Sequence, residues 1–275
     1  MKQELVEKDQ KLKVLLKRLG TVAVAFSSGV DSTFLLDVAQ EVLGANAVAF
    51  TASSPFVPQR DVDEAAAFCR ARGIEHVVVS FDTLAIPGVA ENPQDRCYLC
   101  KRALFSRMVE LAKEHELDVV VDGANLDDDG DYRPGRRALQ ELCIVSPLHA
   151  AGMTKADIRA LSKERGLTTW DKPSFACLAS RFAYGERLTK EGLDRVNQAE
   201  EFLMAKGFRQ LRVRVHDDGA LARIELLPED IGRFCAAAGL REETEQKLRA
   251  LGFRYVSLDL RGFRSGSMNE GIADV

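Results

Sequence analysis

No stretch of the chain approaches the ~18 consecutive apolar residues that a membrane-spanning helix needs. The first residues, MKQELVEKDQKLK, also lack the apolar centre of a secretion signal, so a cytoplasmic protein is expected. Positive charge is not in excess: 38 Lys and Arg stand against 42 Asp and Glu, a net charge of −4, and acidic residues prevail in both halves. A large polyanion such as tRNA is therefore disfavoured as a partner. There are only four histidines, and none stands beside a cysteine. No repeat or low-complexity segment breaks the chain. The six cysteines are too few, in 275 residues without an export signal, for a disulfide framework, which directs attention to metal or nucleophile spacing.

What is present is enough apolar material for a sizeable core, 46% of a length between one large domain and two ordinary ones. Leu12, Leu15, Leu16 and Leu19 repeat at helical spacing ahead of Gly20, and Thr21 to Phe26 reads as a buried strand. The alternation then continues: a helix to Gly44, a strand AVAFTAS, a helix DVDEAAAFCRARG, a strand HVVVSFD, a helix CKRALFSRMVELAKEH and a strand DVVVDGAN. Such alternation implies right-handed crossovers and a parallel sheet covered on both faces, with functional loops at the carboxyl ends of the strands. Three segments fit that position: Ser27 to Ser32, Ser53 to Pro58, and Gly123 to Arg137. After Thr168 the pattern lapses into KPSFACLASRFAYGERLT. A helix around Asp194 to Lys206, a hairpin RQLRVRVHD and ALARIELL turning at Asp218 and Gly219, two more helices and a strand RYVSLDL then follow. Two domains are read: an α/β parallel-sheet domain, 1–184, and a smaller α+β domain, 185–275.

The segment Ser27-Ser28-Gly29-Val30-Asp31-Ser32 joins a strand to a helix, so first-turn N–H groups and hydroxyls converge where a phosphate would sit. Gly29 allows close backbone approach or a positive φ, and the absence of a following G-K-[ST] excludes an ordinary P-loop, which leaves pyrophosphate as the handle. A plain helix-capping corner would also use these serines. The hexapeptide resembles the SGGxDS signature of PP-loop ATP pyrophosphatases, of the adenine nucleotide alpha hydrolase-like fold, with Ser28 in place of the usual second-position glycine. That resemblance implies cleavage of ATP to AMP and pyrophosphate, with AMP first attached to the substrate and Asp31 helping to hold Mg²⁺.

Cys97 and Cys100 form C-x-x-C at the start of a helix, and Cys177 lies in the irregular stretch. Cys69, Cys143 and Cys235 sit inside apolar elements and are read as buried, structural thiols. The C-x-x-C spacing alone leaves a redox dithiol, half a zinc site and half an iron–sulfur site open. Its place at a helix N-terminus beside Lys101 and Arg102 favours thiolate, and three cysteines suit a cluster with one open iron.

Taken together, SSGVDS, DGANLDDDGDYRPGRRA, CLASRFAYG, RVRVH and DLRGFRSGSMN resemble the LarE family, over nearly the whole chain. The resemblance implies sulfur insertion into a pyridinium dicarboxylate mononucleotide on the way to the nickel-pincer nucleotide cofactor, within a homo-oligomer. Some members sacrifice the sulfur of the one cysteine that matches Cys177. Others carry three and are similar to tRNA thiolases with a [4Fe-4S] cluster. Cys97, Cys100 and Cys177 match the second pattern, in which the fourth iron carries an exchangeable sulfide drawn from sulfide or a cysteine-derived donor. A tRNA thiolase, a nitrogen-transferring PP-loop synthetase and a nucleotide sensor without turnover are the rival readings.

For the substrate, Gly123 is a candidate to let adenine lie against backbone, and Asp131, Arg133 and Arg137 to hold Mg²⁺ and developing phosphate charge, the three aspartates before them reading equally as a solvated loop. Arg212, Arg214 and His216 alternate along a strand and share one face, with Leu211, Val213 and Val215 on the other, a pattern suited to gripping phosphate. Arg181, Glu200 and Arg264 are further candidates around the sulfur-transfer chamber.

Overall fold

The computed structural model describes residues 2–130, 135–173, 176–264 and 266–269. The chain divides into two compact units, Met1–Asp82 with Cys97–Phe175, and Thr83–Arg96 with Ala176–Val275. That division departs from a single cut after residue 184, because 83–96 and 176–184 both fall in the second unit. The reason is local. Asn92, fully buried, donates from Nδ2 to Ala183 O at 2.6 Å, its carbonyl accepts from Gly185 N at 2.9 Å, and Arg96 donates to Ala179 O at 3.2 Å.

In the first unit, α1 (Lys2–Leu19) buries Leu12 and Leu16 completely and ends at Gly20, whose φ of 79° suits a residue without Cβ. Next come β1 (Val22–Ala25), α2 (Val30–Leu43), β2 (Ala47–Ser53), α3 (Gln59–Arg72), β3 (His76–Ser80), α4 (Arg96–Glu114) and β4 (Val119–Val121). The strands are all parallel in the order β3-β2-β1-β4, and Val145 adds a parallel bridge to Val121. Because side chains alternate along a strand, the sheet feeds two cores. Val22, Val24, Ala47 and Ala49 pack with Leu12, Leu16, Phe34, Leu35 and Ile158 on one face, and Ala23, Val48 and Phe50 pack with Phe105 and Met108 on the other. This is why these strands read as continuous apolar runs. Three shorter helices complete the unit: α5 (Gly135–Glu141), α6 (Pro147–Ala150) and α7 (Lys155–Glu164), the last started by a capping box between Thr154 and Asp157.

The second unit holds α8 (Lys190–Ala205), β5 (Leu211–His216), β6 (Leu221–Leu226), α9 (Pro228–Ala236), α10 (Leu240–Ala250) and β7 (Tyr255–Leu258). The β5–β6 hairpin is antiparallel and β7 joins β6 in parallel, giving the order β5-β6-β7. Leu211, Val213 and Val215 are fully buried, as are Leu193, Val196, Ala199 and Leu203 of α8. Among the described residues no helix is long and apolar enough to cross a membrane.

Candidate functional site

β1 delivers the chain to Ser27–Ser32 at its carboxyl end, and Gly29 begins α2 without a side chain to cap it. Ser27 Oγ and Ser32 Oγ lie 3.1 Å apart, and Ser32 Oγ also accepts from Ser27 N at 3.3 Å, so the hydroxyls close the loop upon itself. The left-handed residue is Ser28, with φ 52°, whereas Gly29 is extended at φ −78°. The expected glycine latitude is thus used one position earlier, by a serine. Its cost of order 1–3 kcal/mol has to be offset locally. The offset is visible: Ser28 Oγ donates to Asp61 O at 3.3 Å, and Lys172 Nζ donates to Ser28 O at 3.1 Å and Ser28 Oγ at 3.3 Å while pairing with Glu64.

Asp31, in the first turn of α2, accepts from Asn125 Nδ2 at 3.4 Å through Oδ1 and is ion-paired with Lys155 through Oδ2. Gly123 approaches this turn so closely that a Cβ on it would stand 3.1 Å from Ser32 N and 3.3 Å from Asp31 Cβ. Close packing of the β4 end against α2 is therefore sufficient reason for glycine there. Beside it Asp122 is buried, accepts from Ser146 Oγ at 2.6 Å, and has its pKa raised by burial. The aspartates that follow are not simply solvated. Asp127 accepts from Lys155 N at 2.7 Å, Asp128 from Asn125 N at 2.9 Å, and Asp129 pairs with Arg136 and His149. Asp131 and Arg133 lie outside the described residues. Arg137 stacks on the Tyr98 ring at 3.8 Å and pairs with Glu141 at 3.3 Å.

Cys97 and Cys100 lie half-buried on the first turns of α4, in the first unit, and Cys97 Sγ has room because a Cβ on Gly135 would stand only 3.0 Å from it. Cys177 is exposed and belongs to the second unit. Within either unit, the described residues include no group of three His, Cys, Asp or Glu side chains placed to hold a metal ion.

The second unit concentrates charge behind Cys177. Arg181, 1% exposed, forks onto the fully buried Glu200 at 2.9 and 2.8 Å, and its Nη1 donates to Ala176 O and to Cys177 O at 3.0 Å. Arg214 pairs with the fully buried Glu225 and donates to Ser180 O at 2.9 Å. Both arginines therefore fix the backbone around Cys177, an exposed residue. Arg214 and Arg223 are directly opposed across the hairpin, a repulsive pairing that Glu225 relieves by ion-pairing with both. Asp259 holds Arg223 and Arg264, and Ser267 Oγ donates to Glu225 at 2.7 Å. Arg212 is buried over the Phe263 ring, and burial, with Arg181 adding to it, pulls its guanidinium down to about 9. Burial pushes Glu200 up, but Arg181, Arg212 and the Val213 N–H outweigh it and hold the carboxyl below its ordinary range. His216 is lowered by burial, then by Arg223 and Arg214. Five guanidiniums, of Arg181, Arg212, Arg214, Arg223 and Arg264, meet three carboxylates, of Glu200, Glu225 and Asp259. The excess is positive, which suits a bound anion.

No family model matches the chain. It is 42% identical over 265 residues to an uncharacterized protein of Synechocystis sp., covering 96% of this chain and 98% of that protein. It is 39% identical over 267 residues to the pyridinium-3,5-bisthiocarboxylic acid mononucleotide synthase of Lactiplantibacillus plantarum, covering 97% of this chain and 95% of the synthase. The chain belongs to the LarE family. A third relative, an uncharacterized protein of Methanocaldococcus jannaschii, is 29% identical over 244 residues, covering 89% of this chain and 91% of that protein.

In this LarE-family chain Lys155 and Lys172 bring ammonium groups to the Ser27–Ser32 loop, which no local pattern announces. Lys155 stands in T-K-A-D, whose capping-box pattern marks a helix start, but its partner Asp31 is 124 residues away. Two of the thiols read as buried are not: Cys143 and Cys235 are exposed, the first at a left-handed turn with φ 55° and the second on the outer face of α9. Cys69 is buried, and burial pushes its thiol up to about 11, as an inert core cysteine requires. Arg212 and Arg214 share a strand face, as their alternation indicates, and that face is covered by other elements of the unit.

Proposed function

We propose that the chain is an ATP-dependent sulfur transferase that inserts sulfur into pyridinium-3,5-dicarboxylate mononucleotide. It would adenylate a carboxylate and then deliver sulfur to the activated carbonyl. The observation that carries this reading is the match, at 39% identity over 97% of the chain, to a protein named as the synthase of the corresponding bisthiocarboxylic acid mononucleotide. The loop geometry supports the first half-reaction. Ser27, Ser28, Gly29 and Ser32 surround the uncapped start of α2 and would cradle pyrophosphate, with Gly123 taking adenine and Asp131, Arg133 and Arg137 taking Mg²⁺ and developing phosphate charge. Asp31 would hold Mg²⁺, which commonly takes one or two carboxylates together with phosphate oxygens and waters, and when bound would neutralise the phosphate chain.

In both half-reactions the positive excess around Arg212 and Arg214, with Arg181 and Arg264, would seat the substrate phosphate. The carboxylate oxygen attacks the α-phosphorus of ATP and pyrophosphate leaves. A sulfur nucleophile then adds to the acyl carbon, and AMP departs with the electrons of the C–O bond. The residues' task is positioning in a site that excludes water. The donor chemistry of Cys97, Cys100 and Cys177, three at least partly exposed cysteines outside any disulfide, suits thiolate ligation of a [4Fe-4S] cluster. Such a cluster, when bound, would supply an exchangeable sulfide, reloaded from sulfide or a cysteine-derived donor, in a homo-oligomeric enzyme.

Metal and acid-labile sulfide analysis of anaerobically purified protein, run beside a pyrophosphate-release assay, tests this reading. Iron and sulfide together with release that depends on the mononucleotide are expected. Iron-free protein that loses H₂S from Cys177 in one turnover replaces the cluster by sacrifice of that cysteine, and tight, salt-sensitive tRNA binding replaces the substrate by tRNA.

A further inference from the structure

The ion pair between Lys155 and Asp31 is not what starts α7. The start of α7 is already held by Thr154, whose hydroxyl accepts from Asp157 N at 3.2 Å, and by Asp127, which accepts the Lys155 N–H at 2.7 Å. The ammonium extends beyond these contacts to the first turn of α2. There it occupies one oxygen of the carboxylate expected to receive Mg²⁺, while Asn125 Nδ2 holds the other. Both side chains are reachable by a small ion, at 28% and 22% exposure. Because the helix N–H is taken by Asp127, what α7 offers the phosphate loop is a mobile charge on a four-carbon stem.

We propose that Lys155 is a cation latch for the nucleotide site: it neutralises Asp31 in the empty enzyme, yields that carboxylate to the divalent ion, and transfers its ammonium to the phosphate chain that arrives with the ion. This deepens the adenylation reading and rests on it. Charge counting gives the reason. A divalent ion placed on Asp31 while Lys155 remains paired would crowd three positive charges around one carboxylate. The incoming polyphosphate supplies negative charge for both cations at once. Metal and nucleotide therefore bind with positive coupling, each poorly without the other. Lys172 cannot take this part, since it is committed to the Ser28 backbone and hydroxyl and to Glu64.

The test measures binding in the full-length protein and needs no turnover. Mn²⁺ is titrated by EPR as the Mg²⁺ surrogate, and α,β-methylene-ATP is titrated calorimetrically with Mg²⁺, for the wild type, Lys155→Met, Lys155→Arg and Asp31→Asn. Removing the ammonium frees Asp31, so Lys155→Met binds Mn²⁺ several-fold more tightly than the wild type. The same variant loses one charge-assisted phosphate contact, so its affinity for the analogue falls by ~10–100-fold. Lys155→Arg keeps most of the analogue affinity, and Asp31→Asn loses Mn²⁺ binding. These shifts run in opposite directions, whereas a variant damaged in folding would weaken both ligands. Unchanged or weaker Mn²⁺ binding in Lys155→Met, or undiminished analogue affinity, overturns the latch while leaving the nucleotide reading intact. A wild-type protein that binds no analogue overturns both.

Discussion

Replacement of Glu200 by alanine removes a carboxylate with no solvent exposure that accepts three hydrogen bonds: from Arg181 Nε at 2.9 Å, Arg181 Nη2 at 2.8 Å and Val213 N at 3.0 Å. What remains is a guanidinium 1% exposed without its main counter-charge and an edge-strand N–H without an acceptor. Breaking a buried pair from one side costs about 3–5 kcal/mol. The orphaned N–H alone is worth about 1–3 kcal/mol and overlaps with that figure, so a loss near 4 kcal/mol is expected. Against the ~5–15 kcal/mol of a typical domain this is a large fraction. Glu200→Gln keeps the shape and one acceptor oxygen and should lose about half as much. Urea unfolding followed by circular dichroism gives the global value, and hydrogen exchange of the Val213 amide gives the local one. The acid limb adds a signed check. Glu200 sits below its ordinary 4.5, so its contribution is complete above that value and disappears as pH falls through the lowered one. The Gln variant should lack that part of the acid dependence. A loss under about 1 kcal/mol in Glu200→Ala, with unchanged Val213 exchange, would show that the buried pair does not hold this unit together.

Ser28→Gly should be tolerated within about 1 kcal/mol in thermal unfolding, since the backbone gains ease at φ 52° while the hydroxyl contacts are lost; Ser28→Val should distort the loop and weaken nucleotide binding. Brief alkylation of cluster-free protein with iodoacetamide near neutral pH, read by peptide mass, should modify Cys177, Cys143 and Cys235 well before Cys69, whose thiol is buried and pushed up to about 11. Arg212→Met should raise the KM for the mononucleotide by roughly tenfold or more with a smaller effect on kcat, because in the proposed site the lost contact would serve the phosphate, remote from the acyl carbon; an unchanged KM removes Arg212 from that site.

The parallel sheet was legible because strands such as VAVA and AVAFTAS are covered on both faces, which leaves no polar alternation to confuse them with surface strands. The strand–turn–helix form of Ser27–Ser32 was legible for the same local reason: a buried strand, a serine-rich turn and an uncapped helix start follow one another without a gap. The division into units was not. It depends on Asn92 and Arg96 bonding to carbonyls some ninety residues later, which no local pattern announces. Arg212 and Arg214 alternate as solvent-facing charges would, and their burial comes from Glu200, Glu225, Ser180 and Phe263, each from a different element. Helical membership misled for Cys235, since the buried residue of α9 is Phe234 beside it.

In the proposed reaction, ATP cleavage is spent on exchanging a carboxylate oxygen for sulfur. Purified protein incubated anaerobically with ATP, Mg²⁺, sulfide and pyridinium-3,5-dicarboxylate mononucleotide should yield a product whose mass corresponds to oxygen replaced by sulfur, with one AMP and one pyrophosphate formed per sulfur inserted. Nucleotide cleavage without a thiolated product, or a thiolated product formed without ATP, would contradict it.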